Sequence, residues 1–274
     1  MSVSEIFWLF FILVTLQPAL KQRLLDASRA RMIGTIERQR GSRVILLVHR
    51  QETMSLLGFP LMRFIDIQDS EAVLRALDLT DPSMPIDLVL HTPGGLALAA
   101  SQIARAIHRR PGKVTVFVPH YAMSGGTLIA LAADAIVMSP HAVLGPVDPQ
   151  IGANSAASIL TVVRDKPIKD VDDQTLIWAD QARKALEQIR ELVRELTAAD
   201  RDTETGRRLV ELLSEGHFTH DYPITAGAAR DLGLPVSEDM PPEFMRLMGL
   251  YPQPTRQRPA VEYIPSPYRK VDER

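Results

Sequence analysis

Apolar and polar positions follow three different rhythms along the chain. From Ile6 to Leu16 the run IFWLFFILVTL has one hydroxyl and no charge. Extended to Leu20 it remains shorter than the roughly 20 residues a membrane-spanning helix needs. It is apolar on every side, which suits lipid better than a half-wet protein surface, so residues 1–20 are expected to form a membrane-anchor segment. Between residues 21 and 40 the rhythm becomes helical, with Leu24, Leu25, Met32, Ile33 and Ile36 on one stripe, and predicts a linker helix. Lys21, Arg23, Arg29 and Arg31 follow the apolar run and nothing basic precedes it. The positive-inside rule then places the main body on the cytoplasmic side.

From residue 41 to about 250, short continuous apolar runs alternate with helical patterns. SRVILLVH, IDLVLHT (86–92), KVTVFVP (113–119) and DAIVMS (134–139) read as buried strands. Helical spacing predicts helices over 70–79, 96–109, 124–133, 173–196 and 203–215, with Asp172 capping the fourth. Uninterrupted apolar strands separated by helices imply an α/β domain around a parallel or mixed sheet. Residues 251–274 form a Pro-rich tail with little to order it.

Composition narrows the chemistry. Of 274 residues 46% are hydrophobic, 23% are charged, and the net charge is -2, which argues against disorder and against nucleic-acid binding. The absence of cysteine excludes disulfides, thiolate metal sites and a Cys nucleophile. The histidines show no metal-ligand spacing, and no G-x-G-x-x-G loop follows a strand, so neither a metal nor a dinucleotide cofactor is expected. Only six of the 31 basic residues are lysines: Lys21, Lys113, Lys166, Lys169, Lys184 and Lys270.

Two glycine-bearing turns remain as candidates for chemistry. HTPGG (91–95) lies where a strand gives way to a helix, and paired glycines there leave backbone N–H groups free for a carboxylate, a phosphate or an oxyanion. HYAMSGGT (120–127) also follows a strand, and it presents Ser124 at the carboxyl edge where open α/β sheets place their sites. Ser124 is either the N-cap of the next helix or a nucleophile. The spacing is not that of a G-x-S-x-G elbow.

These two turns, with AADAIVM (132–138), LGPVDPQ (144–150), KPI (166–168), DDQTLIWAD (172–180) and THDYPIT (219–225), resemble the Clp/crotonase fold of serine peptidases. Within it the chain is similar to the signal peptide peptidase A group, to stomatin-partner proteases and, most of all, to the serine dehydrogenase proteinase family. The resemblance implies a fold of repeated β-β-α units carrying an N-terminal hydrophobic helix. It implies Ser124 as nucleophile, the amides of Gly94, Gly95 and Gly125 as oxyanion hole, and assembly into a homo-oligomer.

The base that activates Ser124 is left open. Where the Clp subunit carries its histidine, this chain has Asp148 and Pro149. His220 beside Asp221 is a candidate, ahead of His217. The Ser-Lys dyad of the related families points instead to a lysine able to lose its proton near neutrality, which arginine cannot do. Lys166 is favoured because Pro167 and Ile168 dry its surroundings, followed by Lys169 and Lys184. The expected activity is hydrolysis of peptides or membrane-protein segments. Two other readings are a crotonase-like acyl-CoA hydratase or isomerase, and an inactive membrane scaffold.

Overall fold

The computed structural model describes residues 3–50, 63–197, 204–214 and 216–251, and of the side chains between residues 3 and 20 those of Trp8, Gln17 and Leu20. All but the first residue of the predicted tail lies outside the described residues. The segments expected as anchor and linker form one continuous helix, α1 (Val3–Arg40). Among the described residues no helix is long and apolar enough to cross a membrane.

The domain is built on a five-stranded sheet in the order β1 (Arg43–Val48), β2 (Ile86–His91), β3 (Val114–Val118), β5 (Ala135–Met138) and β10 (Val236–Ser237), every neighbouring pair parallel. β2 and β3 are buried at every position, which explains why they read as unbroken apolar runs. Strand alternation divides their side chains between two cores. Leu88, Leu90, Val116 and Val118 join the larger core with α2 (Ile67–Asp78), α3 (Ala97–His108) and α4 (Gly125–Leu131). Val89 and Phe117 turn the other way, against α1 and α9 (Pro242–Gly249), where Phe117 stacks on Phe244 at 4.0 Å.

One charged residue interrupts this apolar pattern. Asp87 on β2 is 3% exposed, yet Arg40 at the end of α1 reaches it through Nε and Nη2, and Ser42 donates its hydroxyl. The pair joins the last turn of α1 to the sheet.

Beyond β3 the chain leaves the sheet. β4 (Tyr121–Ala122) pairs with β6 (Val143–Leu144), which pairs with β9 (Ile224–Thr225), and a hairpin of β7 (Gln150–Ile151) and β8 (Asn154–Ser155) follows. α5 (Ala156–Asp165) and α6 (Asp173–Thr197) pack on each other through Ala156, Ile159, Ala179, Ala182 and Leu186. Asp172 accepts the Thr175 N–H, as expected of the cap. α7 (Glu204–Ser214) covers the larger core, and α8 (Ala226–Asp231) leads into β10. The predicted strands and the helices after residue 60 are all present, with ends shifted by up to three residues. The two-residue strands carry too little pattern to be read from sequence.

Candidate active site

The site begins where β2 ends. Thr92 continues past the sheet and bridges Ala122: its N–H donates to Tyr121 at 3.2 Å, and Met123 N–H donates back to Thr92 at 3.0 Å. This bridge sets the two glycine turns side by side. A second bridge runs along the other flank, with Ile65 N–H donating to Gly94 at 2.7 Å and Leu96 N–H to Ile65 at 2.8 Å. A Cβ at Gly95 would lie 2.2 Å from the Ile65 carbonyl oxygen, so that crossing admits only glycine. A Cβ at Gly94, whose φ is +108°, would lie 2.7 Å from the Cβ of Ser124.

Ser124 sits at φ 51°, ψ −115°, and is the only described non-glycine residue with positive φ. Such a conformation costs on the order of 1–3 kcal/mol and persists only where the surroundings enforce it. Although it precedes α4 it makes no capping bond through its side chain, so the hydroxyl is not used as an N-cap. Ser124 lines a cleft of about 1030 Å³.

Of the three amides named for the oxyanion hole, Gly94 is already engaged, since its N–H donates to Thr92 Oγ1 at 3.1 Å and the residue is buried. Gly95 and Gly125 differ. In the bridge to Ile65 the N–H of Gly95 is directed away from its partner strand, and Gly125 opens α4, where a first-turn N–H has no helical acceptor. Both line the cleft with Ser124.

Asp148 and His220 line the same cleft. Asp148 is 2% exposed; its Oδ1 is 2.7 Å from His220 Nδ1, and its Oδ2 accepts from Gln150 Nε2 at 2.6 Å. A carboxylate can only accept, so Nδ1 carries the proton and Nε2 is left as the basic nitrogen. The hydrogen bond to Asp148 raises the His220 pKa above its usual value; burial opposes it, and the charges of Asp148 and Asp221 add to the rise. Asp221 itself is exposed, so the carboxylate bonded to His220 comes from a residue 72 positions away and not from its neighbour in sequence. His217 is bonded to Glu211.

The lysines are placed differently. Lys166 and Lys169 are exposed in the α5–α6 connection, and Lys184 is 69% exposed and paired with Asp180 at 2.6 Å. None of the three lines the cleft, whereas Gln188 and Glu191 of α6 do. The apolar wall comes from Leu96, Leu128, Val147, Ile151, Ile189 and Leu192. Among the described residues no group of histidine and carboxylate side chains could hold a metal ion.

His91, which opens the HTPGG turn, follows Val89 to the α1/α9 face and is 1% exposed. It packs against His120 and Tyr121. Burial, then the charges of Arg50, His120 and His49, push its pKa down to about 3, so it is a neutral packing residue.

A strained serine turn at the carboxyl edge of a parallel sheet, beside two glycine amides with no acceptor among the described residues, stands on a Clp-like α/β fold. The chain belongs to the ClpP-like SDH-type serine proteinases, whose family model matches residues 1–274. Two uncharacterized proteins of Methanocaldococcus jannaschii, MJ1495 and MJ0137, are 49% and 48% identical to it, over 99% and 97% of this chain and 92% and 93% of theirs. Among solved structures, a point mutant of ClpP1 from Listeria monocytogenes aligns at 17% identity and TM-score 0.48, covering 75% of this chain and 96% of its own. ClpP1 without the mutation aligns at 16% identity and TM-score 0.46, covering 81% and 97%.

Proposed function

We propose that the protein is a serine peptidase in which Ser124 is the nucleophile, the amides of Gly95 and Gly125 receive the oxyanion, and His220, oriented by Asp148, is the general base. The observation that carries this reading is the strained Ser124 turn opening on the same cleft as the His220–Asp148 pair. In the reaction His220 Nε2 takes the proton of Ser124 Oγ as the oxygen attacks the scissile carbonyl. The oxygen that becomes negative accepts the Gly95 and Gly125 N–H groups. Collapse of the tetrahedral adduct breaks the C–N bond, and the imidazolium gives its proton to the departing amine. Water then repeats the sequence on the acyl-enzyme, with the same base. The chain order Ser, Asp, His differs from that of several serine hydrolases, but such constellations are defined by geometry and roles, not by order.

The test is labelling with a fluorophosphonate and hydrolysis of an unstructured protein substrate, compared among wild type and Ser124→Ala, His220→Ala, Lys166→Met, Lys169→Met and Lys184→Met. Loss in the first two variants with near-wild-type rates in the three lysine variants is expected. A lysine variant that loses labelling while His220→Ala keeps it would replace this base by a Ser-Lys dyad.

Two further parts of the reading rest on sequence. The uncharged run Ile6–Leu16 followed by four basic residues favours attachment to a membrane with the catalytic domain on the cytoplasmic side, and so favours membrane-protein segments as substrates. Flotation of the full-length chain with liposomes, compared with a chain lacking residues 1–20, checks it. A homo-oligomer, expected from the family resemblance, is checked by light scattering.

A further inference from the structure

His49, just after β1, is 6% exposed and sits between two partners: Nε2 is 3.2 Å from Asp69 Oδ2 and Nδ1 is 2.9 Å from Thr92 Oγ1. Asp69 can only accept, so Nε2 keeps its proton in either charge state. When the ring is neutral, Nδ1 must therefore accept, and the Thr92 hydroxyl proton is turned toward it. The Thr92 oxygen is then free to accept the Gly94 N–H at 3.1 Å. If the ring is protonated, Nδ1–H donates to that oxygen, and the Thr92 hydroxyl proton turns to the Gly94 carbonyl, 3.4 Å away.

That carbonyl belongs to the peptide unit whose other end is the Gly95 N–H. The unit is planar and trans, so a pull on its oxygen turns the N–H that faces the cleft. We propose that His49 is a positioning residue for the oxyanion hole: as an acceptor it keeps the Thr92 hydroxyl off the Gly94 carbonyl, so that the Ile65 N–H, 2.7 Å from that oxygen, holds the peptide unit and with it the Gly95 amide without competition. The inference rests on the serine-peptidase reading above. The charged and titratable groups around the ring are Asp66 and Asp69 at the start of α2, Arg63 just before it, and His91 at the end of β2. Burial lowers the His49 pKa, Asp69 opposes it, and the net result leaves the ring neutral at neutral pH.

The experiment compares His49→Asn, which keeps an acceptor near the Nδ1 position but does not titrate, with His49→Phe, Thr92→Val and Thr92→Ser. Each is measured for kcat, KM, the pH profile and affinity for a peptide boronic acid, whose tetrahedral adduct uses the oxyanion amides. Loss of a full oxyanion donor costs about 100- to 1000-fold in kcat, and a misdirected donor is expected to cost about tenfold or more. His49→Phe and Thr92→Val should show that loss in kcat and in boronate affinity, with KM little changed. Thr92→Ser and His49→Asn should restore most of both, and His49→Asn should lose any acid-side fall in kcat that persists below the His220 limb. If His49→Phe or Thr92→Val folds, as judged by its melting curve, and keeps kcat and boronate affinity within twofold of wild type, the inference is overturned. If the two do not fold, the inference stands or falls on the pH profile of His49→Asn. Ser124→Ala assayed alongside separates the cases: activity that survives it removes the peptidase reading itself.

Discussion

His220 Nδ1 lies 2.7 Å from Asp148 Oδ1, joining the loop before β9 to the LGPVDPQ segment across 72 residues. The contact gives the imidazole one tautomer and points its basic nitrogen away from the carboxylate. Because Asp148 raises the His220 pKa, the group that must be neutral for catalysis stays protonated to higher pH than an ordinary histidine. The acid limb of kcat/KM should therefore sit above the usual histidine range, with activity lost as pH falls through it. Asp148→Asn should move that limb downward and lower kcat/KM by about 10²- to 10⁴-fold through loss of the correct tautomer. A limb that Asp148→Asn leaves in place would remove His220 from the role of base. For stability the sign is opposite: a raised folded pKa contributes below the unfolded value and is lost as pH rises through the folded one. With the His220 side chain 40% exposed, that contribution is largely screened.

Gln150 deserves a separate variant because it holds the other oxygen of Asp148. Gln150→Leu leaves a carboxylate oxygen buried without a donor, at about 1–3 kcal/mol. The expected result is a lower kcat with KM little changed, read from initial rates; an unchanged kcat would mean that His220 alone orients Asp148.

The Ser124 turn predicts a trade between stability and activity. Glycine accepts φ 51° without a Cβ penalty, and about 1 kcal/mol of unfolded-chain entropy offsets part of the relief. Ser124→Gly should be more stable than Ser124→Ala by about 1 kcal/mol in urea unfolding, and both should be inactive. Equal midpoints for the two variants would mean the turn is not strained.

Adding a methyl group to the glycine turn should separate shape from fold. Gly94→Ala pushes a Cβ to 2.7 Å from the Ser124 Cβ and 2.9 Å from the Met123 carbonyl oxygen, whereas Gly95→Ala drives one to 2.2 Å from the Ile65 carbonyl oxygen and 2.4 Å from its nitrogen. The first is expected to slow fluorophosphonate labelling at least tenfold with only modest loss of melting temperature, on the scale of a misplaced oxyanion donor. The second should lower the melting temperature more, because its Cβ would sit within 2.7 Å of three Ile65 backbone atoms, a deeper overlap than the 2.9 Å approach to Met123.

Asp87 tests how α1 is fixed to the sheet. Arg40→Met leaves a buried carboxylate with only Ser42 as donor and should cost about 3–5 kcal/mol in chemical unfolding, while Arg40→Met combined with Asp87→Leu should recover much of it. A single variant that unfolds like wild type would show that α1 is held by its apolar face alone.

Much of this molecule was readable from its pattern of residues. Continuous apolar runs such as 86–92 and 113–119 named the central strands because both faces of a parallel sheet are covered. The spacing of Ala182, Ile189 and Leu192 named α6, and the two glycine turns marked Ser124 as either an N-cap or a nucleophile, while the family resemblance supplied Gly94, Gly95 and Gly125 as the amides beside it. These are short-range matters, decided within a few residues. The sequence also carried the apolar run before residue 20, whose relation to a membrane is a question of its surroundings.

Pairing across distance was decided only by the fold. Nothing local distinguishes Asp148 from Asp221 as the partner of His220; the choice follows from where β6, β7 and β9 bring their ends. The same holds for Gly94, whose amide is free in the motif but engaged by Thr92 in the folded chain, and for His49, which no motif singles out. Lys166 looked dry beside Pro167 and Ile168, yet the turn that carries it faces solvent, because dryness comes from packing between elements and not from neighbours along the chain.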